Sequence, residues 1–455
     1  MNWRKPLISL LLGLSGSSVL ARLRHAGHLL DAPPERAASD QEERLRKLLA
    51  HAAAKVPFHA ARLEAVGVAR GGQIDIERLR ELPLLDKQTV REHFNDLRAI
   101  DASARRPYEN FSGGSTGEPI RLVQDRAFRE ASIANTLLFL RMAGKDIGES
   151  ELKLWGSERD IIEGSAGIRV RLHNFLYGRL LLNSFRMGER EMRAYAMAWQ
   201  NQRPKVVWCY VDSIHEFARF VERNQLALPA PRAVVTTAGT LHQPVREFVE
   251  AVLNTRVLDQ YGSREAGIIG CQPLHDSELR VFTWSQWIEI LDDAGRPCPP
   301  GEPGRIVVTN LDNYAMPLIR YQIGDLATAA DEEPAFPGRH ARLASIDGRI
   351  SDHFRAADGS LVHGEYFTHL FYGRDWVDKF QVVQQALDRV VVRYVPRGAP
   401  PPGCLDDLTR KVRLVLGEQA TVEFIAVDAI PPLSSGKFRF TICELDTKAP
   451  AGTPS

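Results

Sequence analysis

Residues 205–262 read KVVWCYVDSIHEFARFVERNQLALPAPRAVVTTAGTLHQPVREFVEAVLNTRVLDQYG. The opening run, residues 206–211, is apolar and aromatic and has the length of a buried strand. Residues 213–224 carry apolar side chains at helical spacing. Residues 232–237 read as a second strand, 245–254 as a second helix and 256–258 as a third strand. Strand and helix patterns that alternate in this way predict a doubly wound α/β lobe with a parallel sheet.

Working outward, residues 120–123 form a short strand pattern just after a glycine-rich stretch. Asp125 stands where a helix N-cap is needed, and Phe128, Ile133, Leu137 and Leu140 follow at helical spacing towards Gly144, a good stop. Residues 40–70 read as an amphipathic helix interrupted by Pro57. Downstream, residues 279–329 turn to β-hairpins: a strand at 287–291, a turn at 292–295 and a strand at 305–309. A further boundary falls near 350. Beyond it come strands at 380–384 and 390–395, a helix at 405–416 and a strand at 421–427, about one small domain's worth of chain. The expected division is a large domain over 1–350, a small one over 351–448 and a frayed tail over 449–455.

The chain has 455 residues, more than one compact core holds. Its 58 basic residues nearly cancel its 57 acidic ones, so the electrostatic signature of a nucleic-acid partner is missing. Five cysteines, at 209, 271, 298, 404 and 443, are scattered and contain no CxxC pair. That pattern fits a reducing, cytoplasmic setting without a disulfide framework. Near the N-terminus, Arg4 and Lys5 precede an apolar run over 7–14, the outline of a secretory signal. Leu20, Leu23 and Leu29 continue the pattern beyond any cleavage point, which favours an amphipathic or buried helix. The run is too short to span a bilayer, but it admits peripheral membrane contact. The sequence also admits a homodimer.

Five motifs carry chemistry. The first is Ser112-Gly113-Gly114-Ser115-Thr116-Gly117-Glu118-Pro119. Its glycines let backbone amides point inward and its hydroxyls add donors, a nest suited to a phosphate chain. It lacks the Gly-Lys-Ser/Thr ending of a Walker A loop, and a strand follows it instead of a helix. The second runs from Asp259 through Gln260, Tyr261, Gly262, Ser263, Arg264 and Glu265 to Gly267, directly after the strand at 256–258. Tyr261 offers a flat face for a purine and Glu265 a hard oxygen for Mg²⁺. The third and fourth motifs occupy residues 320–325 and 347–352. Asp325 suits vicinal ribose hydroxyls, and Arg349 suits a phosphate or ribose oxygen. The fifth is a Pro/Gly/Ser loop over 431–439 bearing Lys437, an ammonium able to reach a carboxylate and a phosphate together. Taken singly, each motif reads more readily as a flexible or solvated turn. Cys271 and His275 stand four apart, but two ligands do not make a metal site, and the reading preferred is a buried thiol and a surface imidazole.

In this order, the five motifs resemble the adenylate-forming superfamily, which includes acyl-CoA synthetases, firefly luciferase and peptide-synthetase adenylation domains. Within it, the chain is similar to the phenylacetate–CoA ligase-like branch and its capsular-polysaccharide-associated relatives. His51-Ala52 and Val56-Pro57-Phe58 resemble that branch's N-terminal helix. Met316-Pro317-Leu318-Ile319-Arg320-Tyr321 resembles its hairpin region. The likeness runs from about residue 40 to 440.

The resemblance implies an α/β fold: a large N-terminal multi-sheet adenylate-forming domain plus a small mobile C-terminal α+β domain. It implies ATP, Mg²⁺ and a small carboxylic acid as ligands, with coenzyme A as the acceptor. Ser112, Gly113, Gly114, Ser115, Thr116 and Gly117 would form the loop over the β- and γ-phosphates. Ala238, Gly239 and Thr240 would line one side of adenine, and Gln260, Tyr261, Gly262 and Ser263 the other. Glu265 would bind Mg²⁺, Asp325 the ribose, and Arg349 would sit close by. Ser351 or Asp352 would be the hinge and Lys437 the adenylation lysine. Trp155, His173, Phe175, Tyr177, Trp208 and Tyr210 lie between the phosphate and adenine motifs and are taken as acyl-pocket residues.

The chain departs from the pattern at named positions. Glu118 stands where the family usually has Lys, and Ser351 where it has an acid or Lys. Thr240 replaces an acidic residue, and the stretch after the hinge, 356–359, lacks the usual glycine-rich signature. Two rival readings use the same residues: transfer of AMP or acyl to a non-CoA acceptor in polysaccharide or natural-product assembly, and a degenerate nucleotide-binding protein.

Overall fold

The structure, a computed structural model, describes residues 2–112, 120–155, 168–184, 187–239, 241, 243–292, 294–330, 341–346, 353–358, 360–371, 374–430 and 440–445. Four helices open the chain: α1 (Arg4–Leu14), α2 (Val19–Leu30), α3 (Pro34–Lys55) and α4 (Pro57–Ala65). α1 and α2 are bent by 114° at their junction, and among the described residues no single helix is long and apolar enough to cross a membrane. α3 buries Leu45, Leu48, Leu49 and Ala52, the stripe anticipated from its spacing. Pro57 ends α3 and takes the first position of α4, where its fixed φ and missing N–H cost nothing.

A hairpin of β1 (Tyr108–Phe111) and β2 (Arg121–Gln124) leads into helix α5 (Arg126–Met142). Asp125 caps α5: its Oδ1 accepts from the Phe128 N–H at 2.9 Å. Gly144, at φ +91°, closes the helix in a conformation that other residues avoid.

The expected α/β alternation follows. β3 (Glu151–Trp155), α6 (Ile168–Leu176), β4 (Arg179–Asn183), α7 (Glu189–Gln202), β5 (Val206–Tyr210), α8 (Val211–Arg223), β6 (Ala233–Thr237), α9 (Gln243–Leu253) and β7 (Arg256–Ser263) form a parallel half-sheet in the order β4-β3-β5-β6-β7. Alternate residues point to opposite faces. Leu152, Leu154, Val207, Cys209, Val234 and Val257 pack under the face covered by α7, α8 and α9. Val206, Trp208, Ala233, Val235 and Leu258 pack with Phe139 of α5 and with Leu23 and Leu29 of α2.

One boundary differs from the sequence reading. The third strand does not stop at Leu258 but runs on to Ser263, because β8 (Gly267–Cys271) folds back and pairs with it. The 259–267 motif is therefore the tip of a hairpin and not a loop beyond a strand. Antiparallel strands β9 (Leu279–Val281), β10 (Gln286–Leu291), β11 (Pro303–Asn310), β12 (Tyr321–Ala329) and β13 (Arg342–Ile346) continue the same sheet, in the order β10-β11-β12-β13-β9-β8-β7. Residues 320–325, read as a turn, mostly lie in β12. Arg320 adopts φ +52° at its start and donates two hydrogen bonds to the carboxylate of buried Glu289, at 2.9 and 3.0 Å.

Beyond residue 353, β14 (Val377–Ala386), β15 (Arg389–Pro396), β16 (Thr421–Ala426) and β17 (Thr441–Cys443) form a separate four-stranded sheet. Helix α10 (Cys404–Leu416) packs on it through Leu408, Val412 and Val415. Phe354, Tyr366, Phe367, Phe380 and Phe440 fill a core made within this region.

Candidate active site

The C-terminal ends of the parallel strands bring Trp155, Tyr210, Ala238 and Tyr261 to one edge of the sheet. Such edges are where α/β sheets bind ligands, because backbone groups and loops converge there. β3 ends in Trp155, β5 in Tyr210 and β6 in Thr237, while β7 carries Tyr261 near its end. Thr236 pairs with Asp259, so Ala238 stands level with Tyr261. Ala238 has φ +64°, a left-handed conformation unusual for alanine. The turn therefore leaves β6 at the level of Tyr261 on the neighbouring strand.

Tyr261 is buried, and its hydroxyl donates to Asp325 Oδ2 at 2.8 Å. Asp325 lies on β12, in the antiparallel half of the sheet. The bond therefore ties a flat aromatic face to an acid 64 residues away. Glu265 is buried at the hairpin tip, and the Tyr321 hydroxyl, four residues before Asp325, lies 3.5 Å from its Oε1. The tip is compact because residue 262 is glycine: a Cβ there would stand 2.6 Å from the Gly267 carbonyl oxygen.

Buried amides hold the hairpin tip in place. Gln286 Nε2 donates to the carbonyls of Ala266 and Ile268 at 2.8 and 3.2 Å, and Asn310 Nδ2 donates to Ala266 at 3.0 Å. Gln124 Nε2 donates to the Arg264 carbonyl at 2.7 Å. Asn310 Oδ1 accepts from the N–H groups of Asp312 and Asn313, and Asn313 Nδ2 reaches the carbonyls of Val123 and Met316 at 3.0 Å. These contacts join the tip of the β7–β8 hairpin to the end of β2. A fully satisfied buried network of this kind fixes one geometry.

Ser112 marks the base of the glycine-rich stretch. It is buried, its N–H donates to the Ile120 carbonyl at 3.0 Å, and its Oγ accepts the Ile120 N–H at 2.9 Å. Ser112 thus closes the base of the loop by pairing with Ile120. Arg264, at the hairpin tip, places Nη1 3.5 Å from the Phe111 carbonyl beside it. The base of one motif and the tip of the other are neighbours.

Trp155, Trp208 and Tyr210 form one aromatic cluster, with ring centroids 4.6 Å apart for Trp155–Tyr210 and 5.2 Å for Trp155–Trp208. His173 stacks on Tyr177 at 4.5 Å. Burial lowers the His173 pKa and raises that of Tyr177. Phe175 does not join them. It is exposed on the far side of α6, 6.2 Å from the ring of Trp3.

Lys153 was missed by the sequence reading. Its ammonium lies 3.7 Å from the ring centre of Trp208 and 4.5 Å from that of Trp155. Burial, with the Arg179 charge adding to it, pushes its pKa down to about 7. The signal available in sequence was a lysine between two apolar residues of a buried strand. Cys271 is buried with its thiol pKa raised by burial, while His275 is exposed. Gly113–Gly117, Thr240, Arg349, Ser351, Asp352 and Lys437 lie outside the described residues.

Comparison with known proteins fits this geometry. Residues 354–444 match the CapK C-terminal domain family. Protein CapK of Staphylococcus aureus is 23% identical over 376 residues, covering 82% of each chain. A phenylacetate–coenzyme A ligase of Thermus thermophilus is 28% identical over 334 residues, covering 70% of this chain and 72% of its own. The fold matches a crystal structure of 2-hydroxyisobutyryl-CoA ligase in complex with 2-HIB-AMP and CoA, with TM-score 0.59 over 91% of both chains at 18% identity. The chain is thus similar in sequence to CapK and to phenylacetate–CoA ligases, and it shares the fold of 2-hydroxyisobutyryl-CoA ligase.

Proposed function

We propose that the protein activates a carboxylic acid with ATP as an acyl adenylate and passes the acyl group to coenzyme A. The observation that carries this reading is the Tyr261–Asp325 hydrogen bond beside the left-handed turn at Ala238. A flat ring, an acid and the backbone of the turn along one edge are the groups that would suit a nucleoside, which supports the reading.

A carboxylate oxygen of the acid attacks the α-phosphorus, and the bond to the bridging oxygen of pyrophosphate breaks. The coenzyme A sulfur then attacks the acyl carbon, and AMP leaves. Such steps depend on positioning and on neutralised charge more than on covalent help. Tyr261 and Ala238 hold the base, Asp325 the ribose, and the loop closed by Ser112 the phosphates. Lys437 supplies an ammonium to the reacting oxygens, and Arg349 holds the ribose or a phosphate nearby. Ser351 or Asp352 serves as the hinge over which the small domain moves between the two steps.

Glu265 suits Mg²⁺. It is a hard oxygen donor, buried at the hairpin tip, with the Tyr321 hydroxyl 3.5 Å from its Oε1. Among the described residues no cluster of three or more His, Cys, Asp or Glu could hold a metal. Glu265 would hold the ion as a single protein carboxylate, with phosphate oxygens and water as its other ligands. When bound, the ion neutralises phosphate charge. The cluster of Trp155, Trp208 and Tyr210 favours an aryl or medium-length acid.

The test is a panel of aryl and aliphatic acids with ATP, followed by coenzyme A, with mass detection. Pyrophosphate, AMP and an acyl thioester are expected. A product that keeps AMP, or acyl transfer to an amine or hydroxyl in place of the thiol, would select the non-CoA alternative.

A further inference from the structure

The N-terminal helix presents the wrong face to water for a protein surface. Trp3, Leu7, Leu10, Leu11 and Leu14 fall at helical spacing on one side of α1, and four of them are among the exposed large apolar residues: Trp3 at 52%, Leu10 at 59%, Leu11 at 46% and Leu14 at 77%. The opposite side is anchored. Ile8 is buried in the core that α2 and α5 share, and Leu12 packs against it. The stripe extends onto α6, where Leu172 and Phe175 are exposed and Phe175 lies against Trp3, with Arg4 over both rings at 5.2 and 5.3 Å. Scattered apolar residues on a surface need no explanation, but a continuous stripe with tryptophan at its end does.

The charges that α1 and α2 themselves contribute are basic, with Lys5 paired to Asp146 and Arg22 to Asp312. Residues 1–30 contain Arg4, Lys5, Arg22 and Arg24 and no Asp or Glu. Where α1 turns into α2, a groove of about 360 Å³ opens between Leu12, Val19 and Ile133, and Arg106, Arg126, Arg129 and Glu130 line it, three cations against one acid. Arg126 and Glu130 brace the elbow. Arg126 donates to the Gly16 carbonyl at 2.6 Å, and Glu130 accepts from the N–H and hydroxyl of Ser18 at 3.1 and 2.5 Å. The direction of the stripe is therefore set by the fold of the large domain and not by a free end.

We propose that the outer face of α1 and the arginine groove at its C-terminal end form a docking surface for an anionic lipid bilayer. The apolar stripe enters the boundary between headgroups and acyl chains, with Trp3 at the interface. Arg106 and Arg129 take lipid phosphates or carboxylates in the groove. A helix with an apolar stripe, cationic flanks and no acids has the composition of an interfacial helix. A second copy of the chain fits less well, because the groove beside α1 carries three arginines against one glutamate, a net positive charge that favours an anionic surface over a like-charged copy. Docked this way, the enzyme would meet acids or acceptors that partition into the membrane.

The experiment is co-sedimentation of the full chain with vesicles of phosphatidylcholine alone or mixed with phosphatidylglycerol, at low and high salt. Binding to the mixed vesicles only, weakened by salt, is expected. The double variant Leu10→Glu/Leu14→Glu, at exposed positions that the core does not use, should bind at least ~10-fold more weakly. Arg106→Glu/Arg129→Glu should lose the preference for anionic vesicles. Circular dichroism checks that both variants stay folded. No binding of the wild-type chain to anionic vesicles, or unchanged binding of the leucine variant, overturns the proposal. So does a wild-type dimer that the leucine variant converts to monomer without lipid, since that assigns the stripe to a second copy. None of these readouts requires ATP, so the outcome is independent of the proposed reaction.

Discussion

The hydroxyl of Tyr261 and the carboxylate of Asp325 are 2.8 Å apart and belong to opposite halves of one sheet, β7 in the parallel half and β12 in the antiparallel half. A bond across that seam makes the purine-facing ring and the ribose-facing acid one unit. Asp325→Ala removes the acid and with it the 2.8 Å hydrogen bond from the tyrosine hydroxyl. The KM for ATP in pyrophosphate exchange should rise by roughly 10- to 100-fold, the usual cost of a hydrogen bond to a charged group. Tyr261→Phe keeps the ring and removes only the tether, so a rise of about fivefold is expected, with kcat nearly unchanged. An equal effect of the two changes would mean that Asp325 acts only by orienting Tyr261.

The Glu265 tip rests on Gln286 and Asn310, neither of which approaches the carboxylate itself. Gln286→Leu removes the donor to Ala266 and leaves its carbonyl with Asn310 alone. A loss of about 1–3 kcal/mol in denaturant stability is expected, as for a buried polar group left short of partners. The Mg²⁺ dependence of exchange should also move to higher concentration, because Glu265 is then less firmly placed. Loss of stability without a change in that dependence would restrict Gln286 to the scaffold.

Arg320 opens the motif that ends in Asp325, yet its guanidinium turns the other way. It pairs with Glu289 and donates to the carbonyls of Arg80 and Leu82 at 2.7 and 2.6 Å for Nη1. Glu289→Ala strands a buried cation and should cost about 3–5 kcal/mol in chemical denaturation. The fraction that remains folded should keep its KM for ATP.

Part of this was legible in the sequence. Asp125, Pro57 and Gly144 act within a few residues of themselves, so the signals for helix start and stop read directly. The order of Tyr261, Glu265 and Asp325 was legible because each sits on a recognisable turn or strand. The extent of β7 was not. Asp259 and Gly262 are poor strand formers, and only pairing with β8 carries the strand through them. Gln286 and Asn310 read as ordinary polar residues, because their partners lie 20 and 44 positions away. Phe175 was grouped with the acyl pocket by its position in the chain. Its side of α6 faces outward to Trp3, which spacing alone did not show.

Lys153 gives the fold a pH dependence of known sign. Its pKa in the fold is about 7, well below the ordinary lysine value. Between the two values the unfolded chain holds a proton that the folded chain does not, so stability rises as pH is raised from about 7 towards the ordinary range. The gain is at most about 1.4 kcal/mol per pH unit. Denaturation midpoints compared near neutral and alkaline pH should show this rise in the wild type and a smaller one in Lys153→Met. Equal slopes would mean that the amine stays charged between the two indole rings.

The most direct measurement is acid-dependent exchange of labelled pyrophosphate into ATP, run on the wild type and on Lys437→Ala with the same acids. Exchange that requires an acid, and that falls by about 10²- to 10³-fold when the ammonium is removed, is the expected result. Absence of exchange with every acid, or exchange indifferent to Lys437, would contradict acid activation by this chain.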